Sequence, residues 1–277
     1  MSPLRITIVT PSYNQGPYLE RNLRSVIEQN YPDIEQWVLD GGSKDESTEI
    51  LARYAETYPH LRWLSKRDRG QSDAVNKGFH RATGQIVGWI NSDDKLAPGA
   101  LDKVARYFEE HPQAMAVVGD LRIIDENDAE LFILKAQRLT HESLLTEVCS
   151  IVQPSCFFRK ELIERAGEID TRLHYAMDHE YFLRLTRFAD IDYLPEILAE
   201  FRIQPDSKTQ GFGAFRCSKD NLETFGRYGA PLWAKPRRAA LYIVLTQPLR
   251  RIPWLRQSVR SLKRALGRKT EPHDVIG

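Results

Sequence analysis

Ile86-Val87-Gly88-Trp89-Ile90-Asn91-Ser92-Asp93-Asp94 runs from apolar residues straight into two adjacent carboxylates. Ile86, Val87, Trp89 and Ile90 read as a buried strand. Two neighbouring aspartates at its C-terminal end repel each other unless a cation or strong donors sit between them. Open α/β sheets bind their ligands at such strand ends. The pair therefore points to a hard divalent ion, Mg2+ or Mn2+, held by oxygen ligands and clamping a diphosphate. A polar turn capping the next helix, with Pro98 near its first turn, accounts for the same residues.

The flanking sequence decides the fold class. Strand patterns at Ile6–Thr10, Trp37–Leu39, Leu61–Leu64, Ile86–Ile90 and Met115–Val118 alternate with helix patterns at Tyr18–Gln29, Ser47–Thr57, Ser72–Ala82 and Leu101–Glu110. That βαβα rhythm predicts a mostly parallel sheet covered on both faces. After Gly119 it breaks. Leu121–Ile124 and Glu130–Leu134 flank a turn at Asp125-Glu126-Asn127-Asp128, Ser155–Phe158 reads as a strand, and Lys160–Ala166 and Asp178–Phe188 as helices. Ile197–Ile203 is the last strand, and beyond Gly211 the chain reads as helical and increasingly basic.

The 277 residues, 42% of them hydrophobic, suit one large domain with an appendage. A formal net charge of +1 gives no overall field that favours nucleic acid. It conceals an asymmetry: residues 235–269 hold 11 Lys or Arg and no acid, whereas residues 1–234 hold 28 basic and 36 acidic side chains. Cys149, Cys156 and Cys217 form neither a metal-ligand spacing nor a disulfide framework, which fits a reducing, cytoplasmic compartment. The N-terminus enters a strand at once, without the apolar core of a signal peptide.

Four polar clusters fall at loops along one sheet edge. In Thr10-Pro11-Ser12-Tyr13-Asn14, Tyr13 can stack on a base and the hydroxyls of Thr10 and Ser12 can bond one; an ordinary turn fits as well. In Asp40-Gly41-Gly42-Ser43-Lys44-Asp45, the glycines allow close approach of a ligand and Asp40 can accept from a base or a sugar, or serve the turn itself. Asp45 or Ser47 caps the following helix. The run from Lys66 through Asp68 and Asn76 to Gly78 sets basic residues before a helix N-terminus, a seat for an anion or a solvated charge run. Met177-Asp178-His179-Glu180 enters a helix, with Asp178 a cap or a functional acid.

Together, TPSYNQGPYLERNLRSVIEQNYPDIEQWVLDGGSKDEST, GQSDAVNKG, ATGQIVGWINSDD and YAMDHEYFLRL, in this order and spacing, carry a resemblance. The chain resembles the inverting nucleotide-sugar glycosyltransferases of family 2, with the GT-A fold, over residues 4–210. The resemblance implies a Rossmann-like, mostly parallel α/β sheet flanked by helices. It implies a catalytic domain over 1–210, with the nucleotide-sugar half at 1–119 and the acceptor half at 120–210, followed by a helical basic extension at 211–277. Thr10, Pro11, Tyr13, Asp40, Asp68, Asn76, Asn91 and Ser92 would surround the nucleotide-sugar. Asp93, helped by Asp94, would hold Mg2+ or Mn2+, and Asp178 would be the general base. Arg184 matches a basic residue on the same helix that supports structure. Asn91 replaces the first acid of the family's metal motif, Gly41 stands where many relatives have a second acid, and Met177 where many have Glu.

The implied reaction moves a sugar from a donor, a UDP-sugar by family preference, to a hydroxyl of a glycan or lipid-linked acceptor. Two other readings compete with it. A sugar-1-phosphate nucleotidyltransferase would want a basic residue in the loop after the first strand, where Pro11 to Gly16 has none. A silent nucleotide-sugar-binding scaffold is supported by Asn91 alone. In the tail, Ile252, Leu255, Val259, Leu262 and Leu266 share one helical face among Arg256, Arg260, Lys263 and Arg264, with Trp254 at the start. That pattern fits a helix lying on an anionic membrane surface, or one packed on the catalytic domain or a second subunit.

Overall fold

The computed structural model describes residues 3–147, 151–204 and 213–246. The first half follows the βαβ rhythm: β1 (Ile6–Ser12), α1 (Gly16–Ile27), β2 (Ile34–Asp40), α2 (Ser47–Thr57), β3 (Leu61–Ser65), α3 (Gln71–Arg81) and β4 (Ile86–Trp89). After it come β5 (Lys95–Leu96), α4 (Ala100–Glu110), β6 (Ala116–Ile124), β7 (Glu130–Leu134), α5 (His141–Thr146), β8 (Cys156–Arg159), α6 (Lys160–Ala166), α7 (Met177–Leu185), β9 (Asp192–Arg202), α8 (Gly213–Arg227) and α9 (Lys235–Thr246).

One sheet holds every strand, in the order β3-β2-β1-β4-β8-β6-β9-β5, with β7 paired to β6. β8 runs antiparallel to both β4 and β6, and β6 runs parallel to β9. β1, β2, β3, β4, β6 and β9 therefore point the same way, so the mostly parallel reading holds. Their C-terminal ends share one edge, where Ser12, Asp40, Trp89, Ile124 and Arg202 close their strands.

Strand periodicity sends alternate residues to opposite faces. Ile6 and Ile8 pack with Leu101, Val104 and Phe108 of α4, while Val9 packs with Ala74, Val75 and Phe79 of α3 and Tyr181 and Phe182 of α7. Leu19, Leu23, Val38, Leu51 and Leu61 form a third cluster between α1, α2 and the sheet. Helices thus cover both faces. α3 lies unusually close to the sheet because Gly78 faces it. A Cβ there would stand 2.2 Å from Val9 Cγ1 and 3.0 Å from Leu39 Cδ2.

Two readings need correction. Met115–Val118 and Leu121–Ile124 belong to one continuous strand, β6. Gly119 does not break it; it admits β9, since a Cβ at 119 would meet Leu198 Cγ at 2.4 Å. The pairing shifts register between Gly119 and Leu121 to absorb the crowding. β5 and α5 were not expected; β5 is two residues long and α5 six, too short for a periodic signal. The chain beyond Gly211 is helical where described, in α8 and α9, and the amphipathic run 252–266 lies outside the described residues. Among the described residues no helix is long and apolar enough to cross a membrane.

Gly78→Ala should cost about 1–3 kcal/mol, because neither Val9 nor Leu39 can retreat from a packed core. Urea denaturation should show a lower midpoint with an unchanged slope.

Candidate functional site

The Asn91–Asp94 turn at the end of β4 is held from beneath. Asn91 Oδ1 accepts from Trp89 Nε1 at 3.1 Å and from Gln71 Nε2 at 2.7 Å. An indole nitrogen only donates, so Oδ1 must face it. Asn91 Nδ2 is then left to donate to Asp94 Oδ2, at 3.2 Å. Asp94 is buried, and its Oδ1 accepts the Arg202 backbone N–H at 3.0 Å. Desolvation, with the neighbouring Asp93 charge second, pushes its carboxyl well above the usual range.

Asp93 is only half-buried, and its Oδ2 accepts from Gln204 Nε2 at 2.7 Å. Its carbonyl accepts from Arg202 Nε at 2.9 Å. Arg202 is 1% exposed, reaches the carbonyl of Asp125 at 2.9 Å, pairs with Asp128, and lies over the Tyr18 ring. The hairpin turn between β6 and β7 is thereby bound to the Asp93 turn. Arg202 and Gln204 did not stand out in the sequence. An arginine ending an apolar strand was the available signal.

The first two loops divide the expected nucleotide residues. Thr10 is buried and its hydroxyl accepts from Gln36 Nε2 at 3.2 Å. Pro11, next to it in β1, and Ser92, in the turn after β4, are also buried, while Tyr13 is 58% exposed. Asp40 is also drawn inward. Its carboxylate accepts from the backbone N–H groups of Gly42 and Ser43 at 3.0 Å each, from Ser65 Oγ at 2.6 Å and from Ser43 Oγ. Those bonds hold the Asp40 carboxylate to its own loop and to Ser65. Another carboxylate stands at the rim. A Cβ at Gly41 would lie 3.0 Å from Asp68 Oδ2 and 3.2 Å from Tyr13 Cδ2. Gly41 therefore floors a slot walled by an aromatic ring and an acid. Asp68 Oδ1 accepts from Gly70 N at 2.9 Å, which fixes the carboxylate there.

The N-terminus of α3 gathers the remaining parts. Gly70 enters it at φ +112°, a region that favours glycine. Gln71 binds Asn91, and Ser72 Oγ donates to Met177 Sδ at 2.8 Å. Asn76 was expected at the nucleotide, but its amide clamps the Ile169 backbone, accepting from N at 2.8 Å and donating to O at 2.9 Å. It positions the segment that leads into α7. Of the basic run before this helix, Arg69 is paired with Asp73. Burial opposes the charge on Asp73, but bonds from Lys77 and Arg69 outweigh it and hold the carboxyl down at about 2.

Asp178 lies in the first turn of α7 and is half-buried. The helix end and the His179 N–H, at 2.8 Å from Oδ1, favour the carboxylate, yet desolvation wins and its carboxyl is raised. α8 supplies much of that cover. Asn221 Oδ1 meets His179 Nδ1 at 2.6 Å, and Asp220 accepts from Tyr175 N at 3.1 Å. The Cys217 thiol, beside Asp178, is pushed up to about 12, mainly by burial. Arg184 forms an ion pair with Glu180, donating from Nη2 to Oε2 at 2.9 Å, and donates to Ala166 O at 2.8 Å, a role in holding α7 to α6.

Among the described residues no three His, Cys, Asp or Glu side chains gather as a metal cage. A Mg2+ or Mn2+ site does not require one. Such ions keep several waters and are often held by one or two carboxylates plus substrate phosphates. Half-buried Asp93 fits that donor set, while each oxygen of buried Asp94 accepts one bond from within the fold.

The family model described as Glycosyl transferase family 2 matches residues 7–167. The uncharacterized glycosyltransferase alr2836 of Nostoc sp. is 29% identical over 72% of this chain and 65% of its own length. The uncharacterized glycosyltransferase EpsJ of Bacillus subtilis is 27% identical over 76% of this chain and 64% of its own. The chain thus spans a little under two thirds of either relative. Two solved structures share the fold. The mannosyltransferase PcManGT of Pyrobaculum calidifontis, in complex with GDP-Man and Mn2+, superposes with TM-score 0.63 at 21% identity, covering 99% of this chain and 79% of its own. S. aureus TarS 1-349, in complex with UDP-GlcNAc, gives 0.62 at 17% identity, with coverage of 88% and 72%. Both carry a glycosyltransferase α/β sheet of the GT-A type.

Asn91→Asp, which restores an acid to the strand-end motif, should weaken the protein rather than improve it. It removes the only donor between residue 91 and Asp94 and sets two carboxylates against each other, for a loss of about 1–3 kcal/mol. A proton shared between the two carboxyls relieves the repulsion, so the loss should shrink as the pH is lowered from 8 to 5. Thermal melts of variant and parent across that range measure it.

Proposed function

The chain belongs to glycosyl transferase family 2, and on that premise we propose that it moves a sugar from a nucleotide-sugar donor to an acceptor hydroxyl with inversion at the anomeric carbon. One observation carries this reading. The first turn of α3 bonds through Gln71 to the turn bearing Asp93 and through Ser72 to the helix bearing Asp178. Two carboxylates far apart in sequence are thereby coupled to one short helix end at the ligand-binding edge of the sheet.

In this reading residues 1–119 hold the donor and 120–210 the acceptor. Tyr13 stacks on the base and Asp68 accepts from the nucleoside across Gly41. The donor is a UDP-sugar, the preference of the family and the nucleotide in the TarS complex. Asp93 is the protein ligand for a divalent cation, as the Mn2+ in the PcManGT complex suggests. When bound, that cation supplies positive charge to the departing diphosphate.

A sugar hydroxyl is a poor nucleophile at neutral pH. Asp178 accepts its proton as the new C–O bond forms, worth roughly 10²–10⁴-fold. The raised carboxyl of Asp178 suits it to hold that proton. Attack opposite the leaving diphosphate inverts configuration, and no covalent enzyme intermediate forms. The acceptor is a glycan or lipid-linked hydroxyl, and the basic run 235–269 holds the enzyme on the cytoplasmic face of an anionic membrane.

Calorimetry with UDP and Mn2+ should give affinity that chelator abolishes and Asp93→Ala lowers by tenfold or more, about 1.4 kcal/mol. Equal affinity with and without chelator removes the cation from the reading.

Asp178→Asn should bind donor normally and lose transfer by roughly 10²–10⁴-fold. In the parent, the rate should rise with pH through an apparent pKa above the ordinary carboxylate range, since the base works only when ionised. Near-normal turnover by the variant reduces Asp178 to a residue of the helix end.

A further inference from the structure

The most exposed large apolar side chains of the described residues are Leu232 and Trp233, 78% and 68% exposed. They stand side by side at the tip of a short turn between α8 and α9. The tip is braced. Ala230 N donates to Phe225 O at 2.9 Å, Ala234 N donates to Pro231 O at 3.0 Å, and Arg237 Nη1 donates to Ala230 O. Ala230 and Ala234, on either side, are buried, and Ala230 packs with Phe225 and Ala240 between the two helices. Leu232 and Trp233 are thus held outward by a fixed turn.

Cations follow this tip in the chain. Lys235, Arg238 and Leu241 follow at three-residue spacing and are exposed, Leu241 by 47%. From Ala230 to Thr270 the sequence contains no Asp or Glu. An aromatic ring and a leucine projecting beside exposed Lys235 and Arg238 match a bilayer interface, where the ring enters the headgroup zone and the cations meet anionic lipid. A second copy of the chain would set like charges against each other across a two-fold axis. Nucleic acid would leave the apolar tip unused.

We propose that Leu232 and Trp233, flanked by Lys235 and Arg238, form a wedge by which the folded domain inserts into an anionic lipid surface. This deepens the reading of a membrane-held tail by adding a second contact, on the domain itself. α8 runs from Cys217, beside Asp178, to Arg227 just before the wedge, roughly 15 Å at 1.5 Å per residue. The wedge therefore fixes the height and tilt of the acceptor side above the bilayer.

The test is co-sedimentation of the full chain with vesicles of phosphatidylcholine, with and without phosphatidylglycerol. Parent protein should pellet only with the anionic vesicles. L232S/W233S and, separately, K235Q/R238Q should each weaken binding on the order of tenfold with the tail intact. All four side chains are exposed, so melting temperatures should match the parent, which separates loss of binding from loss of fold. Brominated lipid should quench parent fluorescence more than that of W233F. Parent-like sedimentation of L232S/W233S overturns the wedge and leaves the tail reading standing. Failure of the parent to pellet with anionic vesicles overturns both. A dimer seen by light scattering that dissociates in L232S/W233S overturns the wedge in favour of a second copy.

Discussion

Two adjacent carboxylates at the end of a buried strand cannot both be ionised, desolvated and unsupported. The architecture of the site follows from how that conflict is settled. Asp94 goes inward and is met by Asn91 Nδ2 and the Arg202 backbone. Asp93 goes outward, with its carbonyl bound to the Arg202 guanidinium. The same guanidinium takes the carbonyls of the 125–128 turn, so one buried cation ties together the ends of β4, β6 and β9. Asn91 is where the structure departs from the family's usual acid, and the reason is local. A third carboxylate here would face Asp94 with no donor between them.

The second organising element is α3. Its closeness to the sheet depends on Gly78, its entry on Gly70, and its outward contacts on Gln71, Ser72 and Asn76. Those three polar side chains bind the Asn91 turn, the Met177 segment and the Ile169 backbone in turn. A helix that looks amphipathic in sequence is in fact polar on a buried side, and each buried polar group is used to hold a neighbouring loop. Asp178 gains its position through this helix and its dryness through α8.

Element types and order were legible because the apolar periods are strong. Ser47–Thr57 and Lys160–Ala166 have the bounds expected of them, and the four polar clusters do sit on loops of the ligand-binding edge or beside it. The direction in which a loop carboxylate points was not legible. Asp40 and Asp68 are equally plausible ligands on paper. Asp40 is turned inward by two backbone N–H groups and two serines, whereas Asp68 keeps an oxygen at the rim. The contacts of Asp94 and Asn76 were not legible either, since their partners, Arg202 and Ile169, lie about a hundred positions away in sequence. Gly119 misled in the opposite sense, as a strand glycine needed for close approach rather than for a break.

The pairing of Asp94 with Arg202 also bears on the order in which the protein can be made. The βαβ unit up to Glu110 leaves the ribosome first. In that unit Asp94 has Asn91 beside it, but β5 has no sheet neighbour, because its partner is β9. The nascent half therefore exposes an incomplete edge and an acid without its backbone donor until residues 192–204 emerge and dock. Asp93 cannot be braced by Arg202 and Gln204 before then. A chain cut short anywhere ahead of β9 would keep the βαβ strands and helices but leave the Asp93 turn without Arg202 and Gln204, so the corner that closes the strand-end edge is set last, by topology alone.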